Sequence, residues 1–252
     1  TVTNLAPGNY TVTENVNDAV VAGYTLTVDG NSAEKAVASN ATTEFDITNT
    51  YSRDRGALKI TKTTTPEGMT PADATFTITS APTDYTGTSV FHYSDFTDGV
   101  LTLTDIPAGS YTIEESGADV TNYTLTVNGN ATAAVTKDST ADSPAEVTIN
   151  NNYSQDFGNL EIVKTTNSSD NSNQATPGTT KFTITSDGGY SKTVTYSEFT
   201  NGKYKLEKIP TGNYTVVETN DEDAQIAGYT LAVTGDNNKA KAVAKDATAN
   251  FD

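Results

Sequence analysis

Three residues with reactive side chains occupy positions where the sequence pattern calls for an apolar residue. Alternate residues of a β-strand point to the same face, so a strand with one buried face shows apolar residues at every second position. Each of the three is the next residue on such a face: Lys62 after Leu58 and Ile60, Glu115 after Tyr111 and Ile113, and Asn151 after Val147 and Ile149. Burying a polar or charged group is costly unless it finds a partner. We therefore expect these three side chains to meet.

An amine, an acid and a carboxamide held together in a dry interior could form a covalent bond. Burial lowers the pKa of a lysine and leaves a neutral amine, which is a nucleophile. A buried glutamic acid can carry a proton and pass it on as a general acid or base. The asparagine offers an amide carbon with ammonia as the leaving group. The sequence therefore predicts an isopeptide bond between Lys62 and Asn151, with Glu115 as the acid/base.

Parts of the same set recur elsewhere in the chain. One set keeps the lysine and the acid, Lys164 and Glu218, and another keeps the acid and the amide, Glu14 and Asn49. Glu14 and Glu218 are thus further predicted acid/base residues, and Lys164 and Asn49 are predicted to find partners outside the chain or through another pairing. Because the pattern is cyclic, Lys62 could also pair with Asn49. Taken singly, each residue has an ordinary explanation, such as a lysine that reaches solvent or an asparagine that caps a turn.

The elements that must position these residues come from a tandem repeat. One motif occurs three times: LAPGNYTVTE at Leu5–Glu14, IPAGSYTIEE at Ile106–Glu115 and IPTGNYTVVE at Ile209–Glu218. Its spacing predicts a first repeat represented by its C-terminal half (residues 1–53), a complete middle repeat (54–155) and a third repeat without its last strand (156–252). About seven short alternating strands per repeat predict an all-β fold of tandem seven-stranded sandwiches.

Composition narrows the function classes. The chain has 252 residues, a formal net charge of -17 and no cysteine. The negative charge argues against a nucleic-acid partner, whose phosphates would repel it, and no disulfide can stabilise the small domains. No apolar run approaches the length that spans a membrane. We expect a protein without cofactor or metal.

Three ordered motifs carry a resemblance to a known family. They are the L-x-[I/V]-x-K opening strand, the L-x-x-[I/L]-P-x-G-x-Y-T-[I/V]-x-E centre and the [I/V]-x-N-x-Y closing strand. Together they resemble the collagen-adhesin B-type (CnaB-like, prealbumin-like) domains of Gram-positive surface adhesins and pilins. The resemblance implies a seven-stranded sandwich crosslinked between its first and last strands, with Lys62, Glu115 and Asn151 as the complete triad.

The same resemblance implies a structural role outside the cell. The chain would be a stalk segment of a cell-wall-anchored adhesin or pilus-like fibre, whose partners are neighbouring repeats or subunits of the same fibre. A host-surface ligand would bind a distal domain. The alternative is an adhesin module that recognises host protein or glycan through loops such as Thr63–Ala72 or Pro82–Ser89. The hypothesis that the chain is an enzyme acting on an external substrate has the least support.

Two acidic segments could in principle attract calcium. They are Asp221-Glu222-Asp223 and Asp170–Asn173, and neither follows the spacing of an EF-hand loop. We interpret both segments as solvated loops.

Overall fold

The computed structural model describes residues 1–170, 172 and 174–252, and this part of the chain is nearly all β. Within these residues, no helix combines the length and the apolar character that crossing a membrane requires. The chain divides into two compact units, one formed by Thr1–Ala118 with Thr126–Asn152 and the other by Asp119–Leu125 with Tyr153–Asp252.

The first repeat consists of two small antiparallel sheets. Its strands are β1 (Gly8–Thr11), β2 (Tyr24–Asp29), β3 (Glu34–Val37) and β4 (Thr48–Arg53), with a short 3-10 helix at Val16–Ala19. One sheet pairs β1 with β3 and the other pairs β2 with β4.

The middle repeat is a sandwich of two four-stranded sheets. Its strands are β5 (Arg55–Thr65), β6 (Thr75–Ser80), β7 (Val90–His92), β8 (Val100–Pro107), β9 (Gly109–Ser116), β10 (Tyr123–Asn130), β11 (Thr132–Val135) and β12 (Ala145–Gln155), with a 3-10 helix at Tyr93–Asp95. One sheet has the order β10-β12-β5-β8, and the other has the order β11-β9-β6-β7. Side chains from both inner faces form one apolar core around Leu58, Phe76 and Tyr111.

The third repeat has the same two-sheet plan. Its strands are β13 (Phe157–Val163), β14 (Lys181–Ser186), β15 (Ser191–Thr195), β16 (Lys203–Pro210), β17 (Gly212–Glu218), β18 (Ala240–Val243) and β19 (Thr248–Phe251), with 3-10 helices at Tyr196–Glu198 and Glu222–Ala224. The sheet orders are β16-β13-β19 and β15-β14-β17-β18. A second core forms around Leu160, Phe182 and Tyr214.

The predicted all-β class with tandem sandwiches is confirmed, with three differences in detail. The third repeat, predicted to lack its last strand, has the short strand β19 paired in parallel with β13, as β12 pairs with β5 in the middle repeat. The short strand β7 adds an eighth strand to the seven predicted for the middle repeat, because Val90–His92 pairs along the edge of β6. The strand predicted at Tyr229–Val233 does not form. Its counterpart β2 pairs with Thr48–Arg53. Among the described residues no strand pairs with Tyr229–Val233 in this way, so the segment lacks the hydrogen-bonded neighbour that a strand needs.

The motifs of the middle and third repeats fold in the same way around their tyrosines. Tyr111 and Tyr214 are fully buried, and their hydroxyl groups donate hydrogen bonds of 2.8 Å to the carbonyl oxygens of Pro107 and Pro210. Burial raises the pKa of Tyr111 to about 12. This buried hydroxyl ties each turn to the strand that follows it, and it is the same strand that carries the glutamate.

Candidate functional site

Lys62 and Asn151 are brought together by neighbouring strands of one sheet. β5 and β12 run parallel, and their register aligns Lys62 with Ile149 and Thr64 with Asn151. Residues two apart in a strand share a face, so both side chains project from the sheet into the sandwich. Both residues are buried, at 3% and 2% exposure.

Glu115 reaches the same place from the opposite sheet. It lies near the end of β9, where it pairs with Phe76 of β6. The apolar alternation of β9 through Tyr111 and Ile113 directs its side chain inward. The side chain of Glu115 is only 3% exposed, so its carboxylate lies inside the sandwich.

The three side chains meet at one carboxylate oxygen. The ammonium nitrogen Nζ of Lys62 lies 3.3 Å from Oε1 of Glu115, and Nδ2 of Asn151 donates a hydrogen bond of 3.1 Å to the same Oε1. The amine and the carboxamide are therefore adjacent, with the acid between them. Lys62 and Glu115 make this contact with their side chains 0% and 3% exposed, so water does not compete for it.

The buried position changes the acidity of the lysine. Desolvation lowers the pKa of Lys62 below its usual 10.5, and the nearby carboxylate of Glu115 opposes this shift without cancelling it. A lysine with a lowered pKa spends more time as the neutral amine, which is its nucleophilic form.

The third repeat contains the lysine and the acid as an ion pair. Nζ of Lys164 donates to Oε2 of Glu218 at 2.8 Å, with side chains 15% and 6% exposed. Glu218 again pairs across the sheet with a buried aromatic residue, Phe182. The same parity rule therefore places both members, and no asparagine joins them among the described residues.

The first repeat contains the acid and the amide. Nδ2 of Asn49 donates a hydrogen bond of 2.7 Å to Oε1 of Glu14. Asn49 thus meets the acid of its own repeat, while Lys62 meets Glu115 and Asn151. Among the residues that the structure describes, all three members come together only in the middle repeat.

Two residues that hold the glutamates are not evident from the strand pattern. The side-chain oxygen of Asn31 accepts the backbone N–H of Glu14 at 2.7 Å, and that of Asn237 accepts the backbone N–H of Glu218 at 2.8 Å. Both asparagines follow a glycine turn, at Gly30 and Gly235. The recurrence of asparagine one or two residues after that turn is the signal by which sequence reasoning could have found them.

Comparison with known proteins places the chain in a family. The family model described as "Domain of unknown function (DUF5979)" matches residues 58–154 and again residues 160–252. The chain belongs to the DUF5979 family. No curated protein matches the chain.

Solved structures that resemble these DUF5979 repeats include a pilin and the repeat units of a collagen-binding protein. The TIE protein of Bacillus anthracis is 19% identical with a TM-score of 0.42 over 98% of this chain and 51% of that chain. Two B repeat units of the collagen-binding protein of Staphylococcus aureus are 15% identical, with a TM-score of 0.38 over 98% of this chain and 74% of theirs. The minor pilin GBS52 of Streptococcus agalactiae is 13% identical, with a TM-score of 0.31 over 77% and 93%. The chain spans about half the length of the TIE structure.

An arginine that was not predicted from the sequence connects the first repeat to residues 58–154, the first segment matched by the DUF5979 model. Arg53 forms a two-pronged ion pair with Asp84, at 2.7 and 3.1 Å. It also donates to the carbonyl oxygens of Gly23 and Ala108, each at 2.7 Å, and lies over the ring of Tyr24. The hydrogen bond from Arg53 lowers the pKa of Asp84.

One of the two loops considered as ligand-binding alternatives, Pro82–Ser89, makes contacts within the molecule through Asp84 and Tyr85. In Pro82–Ser89, the carboxylate of Asp84 holds Arg53, and the ring of Tyr85 packs edge-on against Tyr111 at 5.6 Å between centroids. Both side chains therefore have a structural role in holding this loop against the rest of the repeat.

The acidic segments considered for calcium make local contacts. The carboxylate of Asp223 pairs with Lys181, and Asp170 accepts hydrogen bonds from the backbone of Ser172 and the hydroxyl of Tyr229. Asn171 and Asn173 lie outside the described residues. Over the ranges that the structure does describe, no three His, Cys, Asp or Glu side chains group as metal ligands.

Proposed function

We propose that this chain is a non-enzymatic structural segment of a cell-surface adhesin or pilus-like fibre, stiffened by an isopeptide bond between Lys62 and Asn151. The observation that carries the proposal is the shared oxygen of Glu115: a buried amine and a buried carboxamide both contact it. Such a cluster is costly to bury, and bond formation removes the charged lysine from the interior.

The reaction balances without any other reagent. Lys62 passes a proton to the carboxylate of Glu115 and becomes a neutral amine. Its Nζ attacks Cγ of Asn151 while the Glu115 acid donates its proton to the amide. The tetrahedral intermediate collapses when a proton moves from Nζ to Nδ2 by way of the carboxyl group. The Cγ–Nδ2 bond breaks, ammonia leaves, and an Nζ–Cγ amide joins the two strands with Glu115 protonated.

The position of the bond suits a segment that carries tension. Lys62 lies in the first strand of the middle repeat and Asn151 lies in its last strand. A covalent tie between these strands would transmit a pulling force directly from one end of the domain to the other. The hydrogen-bonded strands between them would then bear little of the load.

We propose a cellular location and partners for the chain on the same basis. A string of repeats over residues 1–53, 54–155 and 156–252 would form part of a cell-wall-anchored extracellular stalk, and neighbouring repeats or fibre subunits would be its partners. The net charge of -17 would keep an extended array soluble. A host ligand would bind elsewhere in the fibre.

Intact mass followed by peptide mapping tests the bond. We expect the purified chain to be lighter than its sequence by one ammonia, with the Lys62 peptide fused to the Asn151 peptide. Glu115→Gln keeps the side-chain volume but cannot shuttle a proton, so this variant should fold and keep its full mass. Glu218→Gln is the matched control in the third repeat and should still lose ammonia.

Each other outcome counts against the proposal. Fusion of the Lys62 peptide to the Asn49 peptide would replace this pairing with one that crosses the predicted repeat boundary. Full mass in the unaltered chain would remove the covalent bond and leave a string of ordinary β modules. Normal ammonia loss in Glu115→Gln would remove Glu115 from the reaction.

A further inference from the structure

A tight turn contacts the backbone of Lys62 on the side away from Asn151. Asp98 and Gly99 both have positive φ angles, 50° and 74°, and the flanking residues Thr97 and Val100 form an isolated β-bridge. The carbonyl oxygen of Gly99 accepts the backbone N–H of Lys62 at 2.7 Å. Pairing between β5 and β8 ends one residue earlier, at Thr61 with Val100, so the turn supplies the next backbone contact of the lysine.

Only glycine fits this contact. A Cβ atom built on Gly99 would lie 2.6 Å from the carbonyl oxygen of Lys62. Real Cβ atoms do not approach a backbone oxygen that closely, and a side chain at this φ would be strained as well. Any residue other than glycine must therefore push the turn and the Lys62 backbone apart.

The same glycine turn contacts the lysine of the third repeat. Asn201 and Gly202 have φ angles of 51° and 73°, and the carbonyl oxygen of Gly202 accepts the backbone N–H of Lys164 at 2.8 Å. A Cβ atom on Gly202 would lie 3.0 Å from the carbonyl oxygen of Lys164. The glycine turn therefore accompanies the lysine in both repeats that have one.

We propose that Gly99 is a positioning residue for the crosslinking reaction: its missing side chain lets the turn hold the Lys62 backbone at the distance from which Nζ reaches Glu115 and Asn151. The inference rests on the proposed isopeptide bond. Strand β12 fixes the Lys62 backbone on one edge through its pairing with Ile149, and the Gly99 turn fixes it on the other. Reactions between held groups fall off steeply with small displacements.

The test is the rate of ammonia loss in the 252-residue chain made by cell-free synthesis and sampled over time by mass spectrometry. We expect Gly99→Ala to lose ammonia between about 10 and 100 times more slowly than the unaltered chain. Gly202→Ala is the matched control, because it adds a Cβ atom to the equivalent turn of the third repeat, where the contact is looser at 3.0 Å, and it should leave the rate unchanged. Circular dichroism on each variant in an Asn151→Ala background fixes a temperature at which all are folded, so the rates compare folded molecules.

A second substitution separates close approach from backbone conformation. Gly99→Asn tolerates a positive φ but still carries a Cβ atom, so we expect it to be as slow as Gly99→Ala. An unchanged rate in folded Gly99→Ala, or a normal rate in Gly99→Asn, would overturn the positioning role. If the unaltered chain never loses ammonia, it is the isopeptide bond itself that fails, and the two failures are thereby distinguished.

Discussion

The Lys62 site and the Lys164 site start from the same sequence pattern and differ in one partner. At both, a lysine next to a glycine turn meets a glutamate that pairs across its sheet with a buried phenylalanine. In the third repeat the lysine donates to the carboxylate at 2.8 Å, and no asparagine joins them among the described residues. In the middle repeat the Lys62 nitrogen lies 3.3 Å from an oxygen that also accepts the amide of Asn151.

The difference shows what the asparagine adds. Where it is absent, the described residues form a compact ion pair whose lysine is 15% exposed, and the charges satisfy each other. Where it is present, the glutamate divides its oxygen between two donors, and the lysine is fully enclosed with a lowered pKa. Under the proposed function, the ion pair is a stable end point, whereas the three-membered cluster is the one that we expect to react.

Removing the amide should have the largest effect and should erase the contrast. In Asn151→Ala, we expect the middle repeat to lose about 4–5 kcal/mol of unfolding free energy, by analogy with a disulfide that closes a loop as long as residues 62–151. Denaturant unfolding followed by hydrogen exchange on strands of the middle repeat measures this loss.

Asn49→Ala is the control for that loss. It removes an amide that also rests on a glutamate, but Lys62 does not reach that site. We expect a far smaller change in unfolding free energy. Equal losses in the two variants would show that the amides act only as hydrogen-bond donors and that no crosslink distinguishes the middle repeat.

Breaking the ion pair should have the next largest effect, in the third repeat alone. Lys164→Ala leaves the carboxylate of Glu218 buried without its cation, which costs about 3 kcal/mol for a pair this well buried. Denaturant unfolding measures the loss, and intact mass should stay lower by one ammonia because the Lys62 reaction is untouched. The double variant Lys164→Ala with Glu218→Ala should recover part of the stability. A double variant no more stable than Lys164→Ala would mean that the stranded charge is not the cause.

The alternation of residues along the strands was sufficient to predict which side chains of the candidate site face the interior. Glu115 and Lys62 stand at apolar positions of strands whose alternation is regular, so their inward direction follows from sequence alone. The parallel pairing of β5 with β12, which puts Asn151 beside Lys62, is not encoded in either strand. The family resemblance implied only that the first and last strands are crosslinked.

Contacts between distant loops could not be predicted in this way. Arg53 binds Asp84 and Ala108, which no local pattern connects to it. The predicted strand at Tyr229–Val233 failed for the opposite reason. Its local alternation is correct, but a strand forms only where a neighbour accepts its hydrogen bonds.

The pH dependence of the crosslink sharpens the electrostatic part of the comparison. In the proposed reaction the proton of Lys62 moves to Glu115, so the reactive pair holds the same number of protons as the ion pair. Because the pKa of Lys62 is lowered from 10.5, that proton is lost to solvent at a pH below 10.5, and Glu115 can then no longer protonate the amide. The initial rate of ammonia loss should therefore fall at a pH below 10.5, by about tenfold per pH unit once the lowered pKa is passed. A rate that stays constant up to pH 10.5 would mean that the amine titrates as it does in water.

Stability before reaction should show the matching sign. The folded chain binds fewer protons at Lys62 than the unfolded chain does between the lowered pKa and 10.5, so unfolding free energy should rise with pH across that window. Asn151→Ala, which cannot react, allows the measurement, and Lys62→Ala in the same background should remove the slope. A slope that persists without Lys62 would assign it to other groups.

The smallest predicted effect is the one that should be the same in both repeats. Tyr111→Phe and Tyr214→Phe each remove a hydroxyl that donates to a proline carbonyl at 2.8 Å from a fully buried ring. Each should cost about 1 kcal/mol of unfolding free energy, because the carbonyl is left without its donor. Measured in the Asn151→Ala background, equal losses would show that the two sandwiches respond alike apart from the crosslink. Losses that differ by more than about 1 kcal/mol would mean that the cores themselves differ, and the larger contrast between the repeats could then no longer be assigned to Asn151.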